Sequence, residues 1–312
     1  MNKLILGTRK SALARIQTAQ VTALFSHCYP DLAIEEKLIV TKGDRILESS
    51  LSKIGDKGLF TREIEQCLLD GSIHCAVHSY KDLPTELPDG LCIAAVIERV
   101  PPEDVLVGKP GITLDSLPSG ACIGTDSIRR KAQLAHHRPD LEIKSIRGNV
   151  DTRIRKLDEG LYDAIILARA GLLRLGLDKR LSSILDPSIW YHAVGQGAMA
   201  VEIREDNTVA RSLTETLDHA PTRAATDAER SLLRELEGGC QVPLGVRTSI
   251  NDGTLTLEGL VAGPEGTPFI EETESGPVHD AKKIGIAVAR MLIARGADMI
   301  LQEIQANRGQ DR

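Results

Sequence analysis

Gly195-Gln196-Gly197-Ala198-Met199-Ala200-Val201-Glu202-Ile203 is the stretch that decides how this chain is organised. Two glycines bracket a turn, and the apolar run that follows reads as a strand bounded by turn signals. It arrives after a complete α/β unit, where a strand commonly re-enters the sheet that the chain left earlier. Pro101-Pro102 punctuates the outward passage. Two crossovers between two halves, and a hinged cleft, are therefore expected.

Working outward, strands alternate with helices. Residues 4–7, 34–40, 73–77 and 91–97 read as strands. Ser11 reads as the N-cap of a helix with apolar positions Leu13, Ile16, Ala19 and Ala23, and residues 60–69 as a second helix. In the middle unit, residues 121–124, 142–146 and 163–168 read as strands, with helices over 127–136 and 149–158. The last part changes character. A helix over 222–236, stopped by Gly238-Gly239, precedes strands at 242–250, 254–261 and 269–274 and a final helix burying Ile284, Val288, Met291 and Leu292. The expected architecture is α/β, in two α/β domains linked by two crossovers, plus a small C-terminal α+β domain with an antiparallel sheet. The boundaries fall at 1–98 with 198–217, at 99–197, and at 218–312.

Composition bounds the function. At roughly 150 residues per domain, 312 residues allow two domains and a small third. Apolar residues at 42% and charged residues at 26% exclude disorder, collagen and coiled coil. A net charge of −6 weighs against a general nucleic-acid binder, and 3 Phe, 4 Tyr and 1 Trp leave little material for stacking bases. Leu4-Ile5-Leu6 is cut off by Gly7-Thr8-Arg9-Lys10, too short for a secretory or membrane segment, so a cytoplasmic protein is expected. Six scattered cysteines in a chain of this size read as reduced thiols.

Charge placement is more informative than net charge. Nine cations and three acids lie between Arg129 and Lys156, a net of +6 inside a remainder of −12. Several sit where a strand hands over to a helix, at Gly124-Thr125-Asp126-Ser127-Ile128-Arg129-Arg130 and at Arg147-Gly148-Asn149. Free N–H groups at a helix start, beside hydroxyls and Arg forks, suit an anion. By itself the patch fits phosphate, carboxylate or nucleic acid, or a solvated helix face. Ala76-Val77-His78-Ser79-Tyr80-Lys81-Asp82 ends a strand, where open α/β sheets bind ligands. An Asp beside a Lys there can face a developing cation. His74 and His78 are four apart, which does not converge on a strand, and no CxxC or HExxH pattern occurs, so no metal is expected. Cys240 follows Gly238-Gly239 in a loop that leaves its thiol accessible, as a nucleophile or covalent anchor requires. A plain surface thiol is the simpler alternative.

Together these segments resemble the porphobilinogen deaminase (hydroxymethylbilane synthase) family over nearly the whole chain. The resemblance rests on Gly7-Thr8-Arg9-Lys10-Ser11, Thr41-Lys42-Gly43-Asp44, Lys57-Gly58-Leu59-Phe60, His78 to Asp82, Gly124 to Arg130, Arg147-Gly148-Asn149, Ala164-Ile165-Ile166-Leu167-Ala168, Ala193 to Ala198 and Leu236 to Pro243. It implies a monomeric three-domain enzyme whose first two domains are like periplasmic binding proteins. The implied reaction condenses four porphobilinogen molecules head to tail with release of ammonia, giving hydroxymethylbilane for tetrapyrrole and heme biosynthesis. The implied cofactor is dipyrromethane, attached to Cys240 through a thioether. Asp82 matches the catalytic aspartate, with Lys81, Arg9, Arg147 and Arg153 assisting. Asp82, Lys81, Ser79, Thr125, Ser127, Arg129, Arg130, Arg147 and Gly148 match contacts to the cofactor. Arg9, Ser11, Arg147, Arg153, Arg174, Gln196 and Phe60 match contacts to substrate, with Phe60 covering the rings from a loop over 53–60. Three residues depart from the family pattern: Asp126 stands where Ser is common, Tyr80 replaces Met or Leu, and Arg169 replaces a small or apolar residue. The class left in competition is an anion-binding module of similar fold without catalysis.

Overall fold

A computed structural model describes residues 3–45, 60–236 and 242–310. The chain begins β1 (Lys3–Arg9), α1 (Ala12–Cys28), β2 (Ala33–Ile39), the single turn α2 (Lys42–Arg45), α3 (Arg62–Leu69), β3 (Cys75–Ser79) and β4 (Leu91–Ile97). It continues through β5 (Asp104–Gly108), β6 (Cys122–Gly124), α4 (Ile128–His137), β7 (Glu142–Lys144), α5 (Val150–Asp158), β8 (Ala164–Ala168), α6 (Arg169–Arg174) and β9 (Ser183–Ile184). Then follow β10 (Met199–Arg204), α7 (Thr208–Glu215), α8 (Ala220–Glu235), β11 (Leu244–Asn251), β12 (Thr254–Ala262), β13 (Phe269–Pro277), α9 (Ala281–Ala294) and α10 (Ala297–Gln310). Two compact units emerge, one of residues 1–100 and 197–223, the other of 101–196 and 224–312.

The strand read from the opening stretch does re-enter the first sheet. Its order is β2-β1-β3-β10-β4, with β10 antiparallel between β3 and β4 while β1 runs parallel to β2 and β3. The second unit's sheet has the order β7-β6-β8-β5-β9, again with one antiparallel strand, β5, in fourth place. The third sheet, β11-β12-β13, is antiparallel throughout. Leu4, Leu6, Val77, Val201, Val21 and Phe25 form one core of the first unit. Ile39, Ile64, Leu68 and Ile73 form another there, covering a different part of the sheet, so the parallel strands read as near-continuous apolar runs. In the second unit, Leu232 of α8 and Val288 and Leu292 of α9 pack with Leu255 and Leu257 of β12.

Several expected elements are shifted or were not foreseen. The strand expected at 73–77 is β3 at Cys75–Ser79, which carries it directly into the Tyr80–Asp82 turn. The final helix is two helices, α9 and α10, and Met291 is only half-buried. β5, β9 and α6 had no counterpart in the sequence reading. β5 was obscured because it starts with an acid, Asp104, directly after Pro101-Pro102-Glu103.

Candidate active site

In the first unit, β1 and β3 are parallel neighbours, so the chain leaving Arg9 and the chain leaving Ser79 emerge at the same sheet edge. Ser11 caps α1 by accepting from the Ala14 N–H at 3.4 Å. Behind it, the buried Gln17 of α1 donates to the Ser79 hydroxyl at 2.8 Å. A single 3-10 turn, Tyr80–Asp82, follows. Its first residue is its anchor: Tyr80 is 3% exposed and packs with Leu83, Val96, Ala198 and Ala200. The departure at this position is thus a core substitution, one apolar body for another. Lys81 is half-buried and Asp82 is exposed, so the anchored turn presents a carboxylate to solvent on a rigid base.

Arg9 is held from two sides. Its Nη2 and Nε donate to Asp44 at 2.6 and 3.2 Å, and its guanidinium lies 4.2 Å from the centroid of the Phe60 ring. Burial alone would raise the Asp44 carboxyl, but the Arg9 guanidinium and the Thr41 hydroxyl outweigh it and hold it below the ordinary carboxylate range. The Thr41-Lys42-Gly43-Asp44 motif gains a physical reading. Thr41 and Asp44 fix Arg9, and Gly43 leaves room for Phe60, whose ring lies 2.2 Å from where a Cβ would stand. Phe60 therefore covers Arg9. Cys240 and residues 53–59 lie outside the described residues.

His78 alternates to the other side of β3 from Ser79 and pairs with the fully buried Glu202 of β10 at 3.0 Å. His74 Nδ1 accepts from the Ile5 N–H. Among the described residues no group of three or more His, Cys, Asp or Glu is arranged to hold a metal ion, and no helix is long and apolar enough to cross a membrane. The five described cysteines are free, and burial pushes the Cys75 thiol up to about 12.

In the second unit, the parallel strands β6, β7 and β8 end at one edge. Ser127 caps α4 by accepting from the Arg130 N–H, and the buried Thr125 accepts from the Ser127 N–H at 3.3 Å. Asn149 caps α5 through the Thr152 N–H at 2.9 Å. Arg153 Nε donates to the Gly148 carbonyl at 2.8 Å and Lys156 to the Arg147 carbonyl at 3.2 Å, so two cations brace the Arg147-Gly148 turn. Gly148 has φ +117°, and a Cβ there would sit 2.6 Å from Thr152 Cγ2. Gly148→Ala is expected to cost more than ~1 kcal/mol in chemical unfolding, because both the backbone and the space oppose it. Arg174 is half-buried, and burial pushes it down to about 10, which leaves it cationic at neutral pH. Arg169 pairs with Glu103 at 3.3 Å, so that departure brings its own counter-ion.

Arg129 and Arg130 are not on an open face. They are 5% and 6% exposed and converge on Asp104, which is fully buried at the head of β5. Antiparallel pairing sets Asp104 opposite Ala168, at the edge where the parallel strands end. The Asp104 carboxylate accepts five hydrogen bonds: from Arg129 Nη1 at 2.8 Å, Arg130 Nε and Nη2 at 3.1 and 2.7 Å, Trp190 Nε1 at 3.0 Å and Gln196 Nε2 at 2.8 Å. Burial pushes this carboxyl up, yet the two guanidinium groups prevail and hold it well below the usual range. Gln196, 1% exposed, also donates to the Pro102 carbonyl, tying the Gly195-Gln196-Gly197 turn to the first crossover. From α8, the buried Glu229 accepts from the Gly195 N–H at 2.7 Å and the Thr248 hydroxyl at 2.9 Å. The sequence reading missed both acids. For Asp104 the signal available was an acid opening an apolar run, since a buried charge requires a partner; Glu229, within α8, gave none.

With this geometry in view, comparison with known proteins is decisive. The profile of the porphobilinogen deaminase dipyrromethane cofactor binding domain matches residues 4–212, and that of the porphobilinogen deaminase C-terminal domain matches residues 224–294. The chain belongs to the porphobilinogen deaminase family. Proteins named porphobilinogen deaminase from Synechococcus elongatus and Desulforudis audaxviator are each 49% identical over 304 residues, covering 96% and 97% of this chain and 95% and 98% of theirs. The one from Chromobacterium violaceum is 48% identical over 306 residues, covering 98% of this chain and 99% of its own. Among solved structures, the Bordetella pertussis BvgS periplasmic VFT2 domain has a TM-score of 0.42 at 14% identity, over 69% of this chain and 86% of that one. The Escherichia coli periplasmic aliphatic sulphonate binding protein SsuA has 0.37 at 14%, over 76% and 71%. The family's cofactor-binding profile spans both five-stranded sheets, and with them the Asp82 turn and the arginine-rich helix starts.

Proposed function

We propose that this chain is a hydroxymethylbilane synthase, releasing ammonia from porphobilinogen at each of four head-to-tail additions to form the linear tetrapyrrole. The observation that carries the reading is the exposed Asp82 carboxylate on an anchored turn at the end of β3, in a chain with full-length membership of the family. As ammonia leaves the aminomethyl group, positive charge develops on the substrate, and Asp82 opposes it while accepting from the pyrrole N–H. Lys81 is the nearest cation in sequence and keeps the turn from accumulating uncompensated negative charge. Arg9, Ser11, Arg147, Arg153 and Arg174 grip acetate and propionate side chains. Each charge-assisted bond contributes on the order of 1.5–3 kcal/mol. Arg129 and Arg130 share one counter-ion, so with Asp104 they leave one net positive charge beside the α4 start, and Gln196 takes part through Asp104.

Dipyrromethane fits the donors that each unit offers: in the second unit the hydroxyls of Thr125 and Ser127, the N–H groups opening α4 and α5 and the cations Arg147 and Arg153 would suit its carboxylates, and in the first unit Lys81 would suit a carboxylate and Asp82 a pyrrole N–H. When bound, it supplies the pyrrole carbon that primes chain growth. Cys240 tethers it in this reading, from a third domain of residues 218–312. The test is intact mass: the purified protein should exceed its sequence mass by the cofactor, and Cys240→Ser should abolish the increment. A turning-over protein of unmodified mass would remove the tether from the mechanism. The reading includes a cytoplasmic monomer without metal, and one that binds no nucleic acid, the last supported by the net charge of −6 and the shortage of stacking aromatics.

A further inference from the structure

Asp126 carries a second inference. Its Oδ2 lies 3.0 Å from Arg147 Nε, its Oδ1 accepts from the Ser145 hydroxyl at 2.6 Å, and Lys131 Nζ stands 4.0 Å away. Ser145 is itself fixed, because Tyr162 donates to its carbonyl at 2.7 Å. Asp126 is thus an oriented carboxylate at the Nε of a guanidinium, a charge-assisted pairing of the kind Arg makes with carboxylate ligands. Both side chains remain accessible, at 28% and 29% exposure, so the pair can open to an incoming molecule. This chain therefore brings a carboxylate of its own to Arg147.

We propose that Asp126 is a specificity-determining residue that occupies Arg147 as an internal mimic of a ligand carboxylate and sets the affinity that substrate carboxylates must exceed. The inference rests on the reading of Arg147 as a carboxylate-binding residue. A ligand carboxylate approaching Arg147 displaces Asp126 or settles beside it, and in both cases it meets a like charge that Ser would not present. A ligand engaging several cations at once overcomes this. A ligand offering one carboxylate does not. Asp126 therefore narrows binding towards molecules with several carboxylates, which is discrimination by a repulsive element. Because the pair is partly exposed, the effect is moderate and screened by salt.

The test is Asp126→Ser, with Asp126→Asn as the neutral isostere. Both are expected to lower KM for porphobilinogen about three- to tenfold at low ionic strength, leave kcat within about twofold, and lose that advantage as salt rises. A readout independent of turnover is the side-chain Nε–H resonance of Arg147 in 15N-labelled protein, assigned by its disappearance in Arg147→Lys. It should shift at about three- to tenfold lower succinate concentration in Asp126→Ser than in the unmodified chain. In an Arg147→Gln background, Asp126→Ser should leave KM unchanged. If Arg147→Gln raises KM while both Asp126 variants raise it or leave it alone, Asp126 merely positions Arg147 and the inference is overturned, with the reading of Arg147 intact. If Arg147→Gln changes neither KM nor turnover, that reading fails and takes the inference with it.

Discussion

Asp82→Ala and Asp82→Asn are each expected to reduce turnover by at least ~100-fold, and by as much as ~10⁴-fold, with the fold retained. The residue is exposed on a 3-10 turn whose anchorage lies in Tyr80, so removing its side chain empties no core. Tyr80 still accepts the Leu83 N–H at 3.3 Å and donates its own N–H to Ala198 at 3.1 Å, bonds in which the Asp82 side chain has no part. Asn keeps the size of the side chain and removes only the charge. Equal losses in Ala and Asn would assign the effect to the negative charge opposite a developing cation. A factor of 100 to 10⁴ corresponds to about 2.7–5.4 kcal/mol of transition-state stabilisation. The measurement is ammonia release in single and multiple turnover, with the thermal midpoint recorded alongside. Turnover at the unmodified rate in either variant would remove Asp82 from the chemistry.

Much of this arrangement is legible in the sequence, for identifiable reasons. Ser11 is legible as the cap of α1, because capping is a local interaction within four residues, and Ser127 and Asn149, read as the first residues of their helices, cap α4 and α5 in the same way. The return of β10 to the first sheet could be anticipated from Gly195 and Gly197 and the apolar run after them. What could not be read is long-range pairing. Asp104 is 25 residues from Arg129 and 92 from Gln196, and Glu202 is 124 from His78. The +6 window was counted correctly, but its three internal acids excluded Asp104, so Arg129 and Arg130 looked like open anion receptors. Asp126 shows the same limit at short range. Its sequence neighbours do not show the partners that the end of β7 delivers to it, Ser145 and Arg147, from across the parallel pairing with β6.

Asp104→Asn should cost about 3–5 kcal/mol of stability, because it leaves Arg129 and Arg130 buried with no counter-charge. Surface ion pairs in this chain, such as Arg155 with Glu159, contribute far less, since water screens them and long side chains must be ordered to form them. The amide cannot replace the carboxylate even as a hydrogen-bond acceptor: one of its two heavy atoms becomes a donor facing guanidinium or indole N–H groups. For a unit of this size, each kcal/mol shifts the thermal midpoint by about 2–4 °C, so a fall of roughly 6–20 °C is expected. The pH dependence supplies an independent check. A carboxyl held well below its ordinary value contributes stability that is fully present above its unfolded value, about 3.9, and is lost as pH falls through the folded value. The gap between the unmodified chain and Asp104→Asn should therefore be flat from about pH 5 to pH 8 and shrink only in stronger acid, where the native carboxyl itself takes up a proton. Urea unfolding at several pH values, followed by far-ultraviolet circular dichroism, measures both quantities. A gap under ~1 kcal/mol at neutral pH, or one that widens in acid, would mean that water or a rearranged neighbour already neutralises the two arginines. With the pair intact, the same buried carboxylate fixes Arg129 and Arg130 at the start of α4, Trp190 in the loop before the second crossover, and Gln196 within that crossover. Stability of the unit and the geometry of the α4 start then depend on one acid.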